Sequence, residues 1–123
     1  MPSDKKLLGD FGEDAACAYL KRKRYKVLAR NVSCRFGEID IIAANRTFLV
    51  FAEVKLRKDA RHGEAREFVT PAKQRRVVAA AEYWLMRHPT ELQPRFDVIE
   101  VYAPEGLNTK KPEIHHIEDA YQL

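Results

Sequence analysis

Leu8, Phe11, Ala15, Ala16, Tyr19 and Leu20 recur at three- and four-residue spacing. This stripe predicts an amphipathic helix from a cap at Ser3 or Asp4 to about Lys23. The period then changes. Tyr25 to Asn31, with Tyr25, Val27 and Leu28, has the aromatic and β-branched character of a strand. Gly37 breaks the pattern, and Glu38 to Ala44 predicts a second strand. Asn45-Arg46 suits a tight turn into a third, Thr47 to Leu56, whose continuous apolar run marks it as central. Residues 57–70 are polar and basic, contain Gly63, and read as a mobile connection. Pro71 fits the first turn of a helix capped by Thr70. That helix presents Val77, Ala81, Trp84, Leu85 and His88 on one face and stops before Pro89. Phe96 to Tyr102 alternates as a fourth strand, residues 104–112 form a polar loop, and Glu113 to Ile117 suits a short edge strand. The order αβββαββ predicts an α/β or α+β fold, a mixed sheet of about five strands flanked by two helices.

The third strand contains the first chemical signal. Alternation puts Leu49, Phe51, Glu53 and Lys55 on one face, so an acid and a base end a column that otherwise reads as core. Burying either charge alone costs several kcal/mol unless it is paired or bound to a metal. Folding the second strand back through Asn45-Arg46, with Ala44 opposite Thr47, sets Asp40 opposite Phe51 and Glu38 opposite Glu53. Asp40, Glu53, Lys55 and Glu38 then share a face, with Asp40 and Glu53 in a diagonal relation. A slip of one residue would destroy the convergence. Adjacent carboxylates repel, and a hard divalent cation relieves the repulsion. Such a cation acidifies a bound water and stabilises phosphoryl charge, while Lys55 can orient that water or neutralise developing charge. Two acids and a lysine on paired strands therefore suit a phosphodiester-cleaving centre, although a solvent-facing ion pair explains Glu53 and Lys55 by themselves equally well.

With 123 residues, the chain is long enough for one domain, 1–123. Hydrophobic residues make up 46% and charged residues 33%, and no apolar run is long enough to span a bilayer, so no membrane role is expected. The first residues lack the apolar stretch of a signal peptide, and Cys17 and Cys34 form no CxxC pair, which together suggest a cytoplasmic location. The net charge of +4 is modest, but its distribution is uneven. Lys21, Arg22, Lys23, Arg24 and Lys26 form one cluster, and Lys55, Arg57, Lys58, Arg61, Arg66, Lys73, Arg75 and Arg76 form another. Basic groups concentrated this way suit a nucleic-acid partner held by its backbone.

Phe51-Ala-Glu-Val-Lys55, preceded by Gly37-Glu-Ile-Asp40, resembles the acidic-x-lysine core of the PD-(D/E)xK nuclease superfamily, which includes Holliday-junction resolvases and restriction endonucleases. Along nearly its whole length the chain more closely resembles the bacterial YraN family. Gly9, Gly12 to Ala16, Arg30-Asn31, Val50 to Lys55, Thr70 to Lys73, Arg95 to Ile99 and His116 to Tyr121 carry the likeness in order. The resemblance implies a restriction-endonuclease-like fold and a Mg²⁺- or Mn²⁺-dependent endonuclease acting on DNA rather than RNA, with branched or flapped DNA as candidate substrates. It implies Asp40, Glu53, the Val54 carbonyl and Glu13 as metal ligands, Lys55 as catalytic base or stabiliser, and pairing into homodimers. Glu13 is equally well explained as an ordinary carboxylate at the edge of the first helix. Two departures stand out: Arg24 occupies a position where relatives often have glycine, and His62 one where an aromatic is common.

Arg57, Lys58, Lys73, Arg75 and Arg76 are candidate phosphate contacts, the last three aided by a helix N-terminus. Tyr83 and Trp84 could form a base-stacking platform, but Trp84 fits the core face. Asp97 suits an ion pair with Arg95, and His115 and His116 suit structural or surface roles. Because a nuclease fold can serve as a binding platform, a non-catalytic nucleic-acid-binding module and a subunit of a larger DNA-processing complex are the alternatives.

Overall fold

The computed structural model describes residues 3–58 and 69–122. Most of the connection expected at 57–70, with Arg61, His62, Gly63 and Arg66, lies outside the described residues. Helix α1 (Asp4–Arg22) starts at Ser3, whose hydroxyl accepts from the Lys6 N–H, and is followed by β1 (Lys26–Cys34), β2 (Gly37–Ala44) and β3 (Phe48–Arg57). Helix α2 (Pro71–Arg87) is capped by Thr70 as expected, and β4 (Gln93–Tyr102) and β5 (Glu113–Tyr121) complete the chain. The sheet order is β1-β2-β3-β4-β5. Among the described residues, only β3 and β4 pair parallel as neighbours, with α2 as their crossover. The αβββαββ order and the mixed five-stranded sheet are those expected of the α+β fold.

Strand alternation divides the core in two. Leu49 and Phe51 of β3 face α2 and pack with Ile42, Val77, Ala80, Ala81, Phe96 and Val98. Val50 and Ala52 face α1 and pack with Ala16, Cys17, Leu20, Ile41, Ile99 and Val101. Each face of the central strand is covered by one helix, which is why β3 reads as an unbroken apolar run.

Helix α1 ends in a left-handed residue at Arg24, φ 69°. The Tyr25 N–H donates to the Leu20 carbonyl at 2.9 Å and the Arg24 N–H to the Lys21 carbonyl at 3.0 Å, closing a Schellman motif. Glycine adopts this conformation without the steric cost that a side chain carries. Arg24→Gly is therefore expected to stabilise the fold by about 1 kcal/mol, seen as an increase of a few degrees in the thermal midpoint.

The β2–β3 register differs from the expected one. Ala44 lies opposite Leu49, not Thr47, and the ladder continues through Ala43↔Val50 and Ile42↔Phe51 to Ile41↔Ala52. The connection is longer than a two-residue turn: the Asn45 side chain accepts from the N–H groups of Thr47 and Phe48 at 2.9 and 2.7 Å. The slip is two residues, so the paired residues Ile41 to Ala44 keep their faces, whereas Ile39, beyond the last pair, packs on the α2 side with Ile42.

Strand β5 also runs further than expected, to Tyr121. A bulge between Phe96 and Val98 interrupts its pairing with β4, and Asp119 there is left-handed at φ 53°. Such extra residues on one strand let pairing resume beyond the irregularity.

Candidate active site

The corrected register sets Asp40 one step beyond the last backbone pair, Ile41↔Ala52, and so beside Glu53 rather than diagonal to it. The ladder gives way there. The Val54 N–H, which would otherwise serve the next backbone pair, donates to Asp40 Oδ2 at 2.9 Å. In a strand, the N–H and C=O of one residue point to the same neighbour, so the Val54 carbonyl is aimed to the same side as Asp40.

Glu53 is buried, at 5% exposure. Its Oε1 receives Lys55 Nζ at 3.0 Å and Lys73 Nζ at 2.5 Å. Its Oε2 is buried without a hydrogen-bond partner. A buried carboxylate oxygen left unsatisfied is costly and calls for a cationic or hydrogen-bonding ligand. Asp40 and Glu53 line a cavity of about 200 Å³ between β2, β3 and the start of α2, with Gly37, Glu38, Lys73 and Arg76 also on its wall.

Burial pushes the Asp40 carboxyl up to about 6. The Val54 N–H and Lys73 oppose the rise, while the charges of Glu53 and Glu13 add to it. Because the folded value exceeds the ordinary 3.8, ionised Asp40 weakens the fold. The penalty is absent below about pH 4 and complete above about pH 6. Asp40→Asn keeps an acceptor for the Val54 N–H and removes the charge. It is expected to stabilise the protein at pH 8 by on the order of 2 kcal/mol, with no gain at pH 3.5, in parallel thermal melts.

The other candidate residues divide. Arg76 lines the cavity, and Lys73, expected as a phosphate contact, instead holds Glu53. Arg75 faces a separate groove with Gln74, Val78 and Glu82, and Lys58 is exposed at the end of β3. Arg57 Nε lies 3.8 Å from Glu100. Glu13 sits on α1, with Arg30 Nη2 at 3.5 Å from its carboxylate. Glu38 is exposed at the cavity wall. Asp97 pairs with Arg95 as expected, and His116 is the structural residue of the two histidines, buried against Asp97. Trp84 packs against the core and stacks on His88.

Glu100 is the residue that pattern reading missed. It is 2% exposed, faces the same side as Lys55 on the neighbouring strand, and accepts from the Tyr102 hydroxyl at 2.9 Å. The signal was available: like Glu53, it is an acid that ends an apolar column, after Phe96 and Val98.

Among the described residues no three His, Cys, Asp or Glu side chains converge as a ready-made metal cage. Two carboxylates and a carbonyl nevertheless fit Mg²⁺, which keeps several waters and takes its remaining ligands from substrate phosphate. The unpartnered Glu53 Oε2 is the specific sign of that fit.

The family model described as "Uncharacterised protein family UPF0102" matches residues 12–101, which include Glu13, Asp40, Glu53, Lys55 and Glu100. The chain belongs to this family. UPF0102 is the YraN family that the sequence motifs resemble. The UPF0102 protein GSU0650 of Geobacter sulfurreducens is 45% identical over 119 residues, covering 96% of this chain and 91% of its own. A UPF0102 protein of Geotalea daltonii is 43% identical over 122 residues, covering 98% and 94%. The UPF0102 protein TTE1452 of Caldanaerobacter subterraneus subsp. tengcongensis is 41% identical over 120 residues, covering 96% and 97%. The chain thus matches these UPF0102 relatives over almost their full lengths. No described helix is long and apolar enough to cross a membrane.

Proposed function

We propose that this UPF0102 chain is a metal-dependent nuclease that hydrolyses phosphodiester bonds of DNA. The observation that carries the proposal is a cavity lined by Asp40 and Glu53, with Lys55 paired to Glu53 and a buried Glu53 oxygen left without a partner. Asp40, Glu53 and the Val54 carbonyl would hold Mg²⁺ or Mn²⁺. Such an ion supplies Lewis acidity toward a phosphoryl oxygen and a water acidified for attack.

The protein's own groups do the rest. Lys55, paired to Glu53, would orient the attacking water and offset negative charge that develops at phosphorus. Lys73, which reaches Glu53 from the start of α2, and Arg76 on the same cavity wall would supply the cations for a substrate phosphate. Arg76, exposed at the rim, draws the backbone in and carries no sequence information.

The test is incubation of the protein with single-stranded, duplex, flapped and four-way-junction DNA in Mg²⁺ or Mn²⁺. Metal-dependent products are expected from at least one of these. Mn²⁺ titration should show a bound ion that is lost in Asp40→Ala and Glu53→Ala. Salt-sensitive binding to DNA without metal binding and without products would favour the non-catalytic binding module instead.

A further inference from the structure

Two aromatic rings on the α2 side of the molecule belong to neither core cluster: Phe36, at the tip of the β1–β2 hairpin, and Tyr83 on α2. Phe36 is 36% exposed. The two rings lie 5.8 Å apart at a tilt of 56°. Each has an arginine against it. The Arg35 guanidinium is 4.9 Å from the centre of the Phe36 ring, and that of Arg87 is 5.5 Å from the centre of the Tyr83 ring. Arg87 also donates to the Tyr83 hydroxyl at 2.8 Å.

This ladder adjoins the acidic cavity. Gly37, the next residue after Phe36, lines the cavity, and a Cβ placed on it would lie only 3.1 Å from the Arg76 carbonyl. The hairpin tip therefore rests on α2 at Arg76. Arg76 and Tyr83 are seven residues, or two turns, apart and share a helix face, and Arg87 lies one further turn along. From Arg76 to Arg87 the helix rises about 16 Å. Arg35, Arg76 and Arg87 along this stretch are all exposed.

We propose that Arg35, Phe36, Tyr83 and Arg87 bind an unpaired stretch of nucleic acid and lead it past Arg76 to the Asp40–Glu53 cavity. Surface rings stack on base faces, and those faces are available in a single strand but hidden inside a duplex. Guanidiniums beside the rings supply phosphate contacts and stack on bases themselves. Alternating rings and cations next to a phosphodiester-cleaving pocket would thus select substrates with a frayed, flapped or single-stranded segment. The track rests on the nuclease proposal for its direction of travel, whereas strand binding itself does not depend on it.

The test is fluorescence anisotropy on the full chain with a fluorescein-labelled oligo-dT strand and a blunt duplex of equal length, both in EDTA so that no metal contributes. The single strand should bind more tightly. Phe36→Ala and Tyr83→Ala should each weaken dT binding by about fivefold or more, while duplex binding changes by less than twofold. Tyr83→Phe should restore the binding that Tyr83→Ala loses, which separates ring stacking from misfolding. Arg35→Ala and Arg87→Ala should each reduce the salt dependence of dT binding by about one phosphate contact. Unchanged dT affinity in both alanine variants, or equal binding of strand and duplex, would overturn the track even if metal-dependent cleavage is found. Loss of dT binding in those variants with no cleavage of any substrate would uphold the track and count against the nuclease instead.

Discussion

Glu53→Gln is expected to lower metal-dependent DNA cleavage by two to three orders of magnitude or more, on the order of 3–4 kcal/mol of transition-state stabilisation, and to abolish Mn²⁺ binding. The carboxylate is buried, and its unpartnered oxygen would be the cation's ligand in the proposed site. Glutamine preserves the shape and one acceptor, so the fold should persist. The two lysines left behind remain partly exposed, 21% for Lys55 and 40% for Lys73, and water can solvate them. Lys73→Met distinguishes the metal site from a simple ion pair. The Lys73 ammonium on Glu53 Oε1 would oppose a divalent cation at the same carboxylate. Removing it should tighten Mn²⁺ binding by about tenfold while slowing cleavage, because the same side chain would then be missing from the phosphate. Isothermal titration with Mn²⁺ and single-turnover cleavage measure the two effects separately. If Lys73→Met bound Mn²⁺ no better than the unaltered protein, Asp40 and Glu53 would not be the metal's ligands.

The largest loss of stability is expected from Asp97→Ala. Asp97 is fully buried and accepts both Arg95 Nε at 2.9 Å and Arg95 Nη2 at 2.8 Å. Arg95 also donates to the Tyr25 hydroxyl at 2.7 Å. His116 Nε2 lies 2.6 Å from the Asp97 carboxylate, and His116 Nδ1 lies 3.0 Å from the Tyr19 hydroxyl on α1. The Asp119 N–H donates to Asp97 at 3.0 Å, giving the bulged segment of β5 the acceptor that the interrupted ladder no longer provides. One carboxylate thus ties β4 and β5 to α1 and to the residue before β1. Its removal leaves buried Arg95 with only the exposed Glu118, 3.9 Å away, as a counter-charge, a defect that costs about 3–5 kcal/mol. That is a large share of the ~5–15 kcal/mol of a whole domain. Urea unfolding should show the midpoint fall accordingly, and a loss under about 1 kcal/mol would contradict this account.

Burial alone would raise the Asp97 carboxyl, but His116, Arg95 and the Asp119 N–H together hold it below its ordinary value of 3.8. Its contribution is therefore present above about pH 4 and is lost only as the pH falls through the lower folded value. Asp40 acts in the opposite sense over pH 4 to 6. The carboxylate of the cavity weakens the fold where the structural one strengthens it, the pattern expected when a site is built for a ligand rather than for stability.

Much of this was legible in the chain itself, because period and end signals are local. The three- and four-residue stripe, the caps at Ser3 and Thr70, the apolar run of β3 and the charges that end its column all act within a few residues of one another. They determined the element order, the central strand and the shared face of Asp40, Glu53 and Lys55. That face survived a wrong register because side-chain direction depends on parity, and an error of two residues preserves parity. Tertiary structure alone decided which acid stands next to which, that Lys73 closes on Glu53, and that Phe36 meets Tyr83. These are contacts between segments far apart in sequence, set by turn geometry and by how a helix lies on a sheet, and no short-range pattern encodes them.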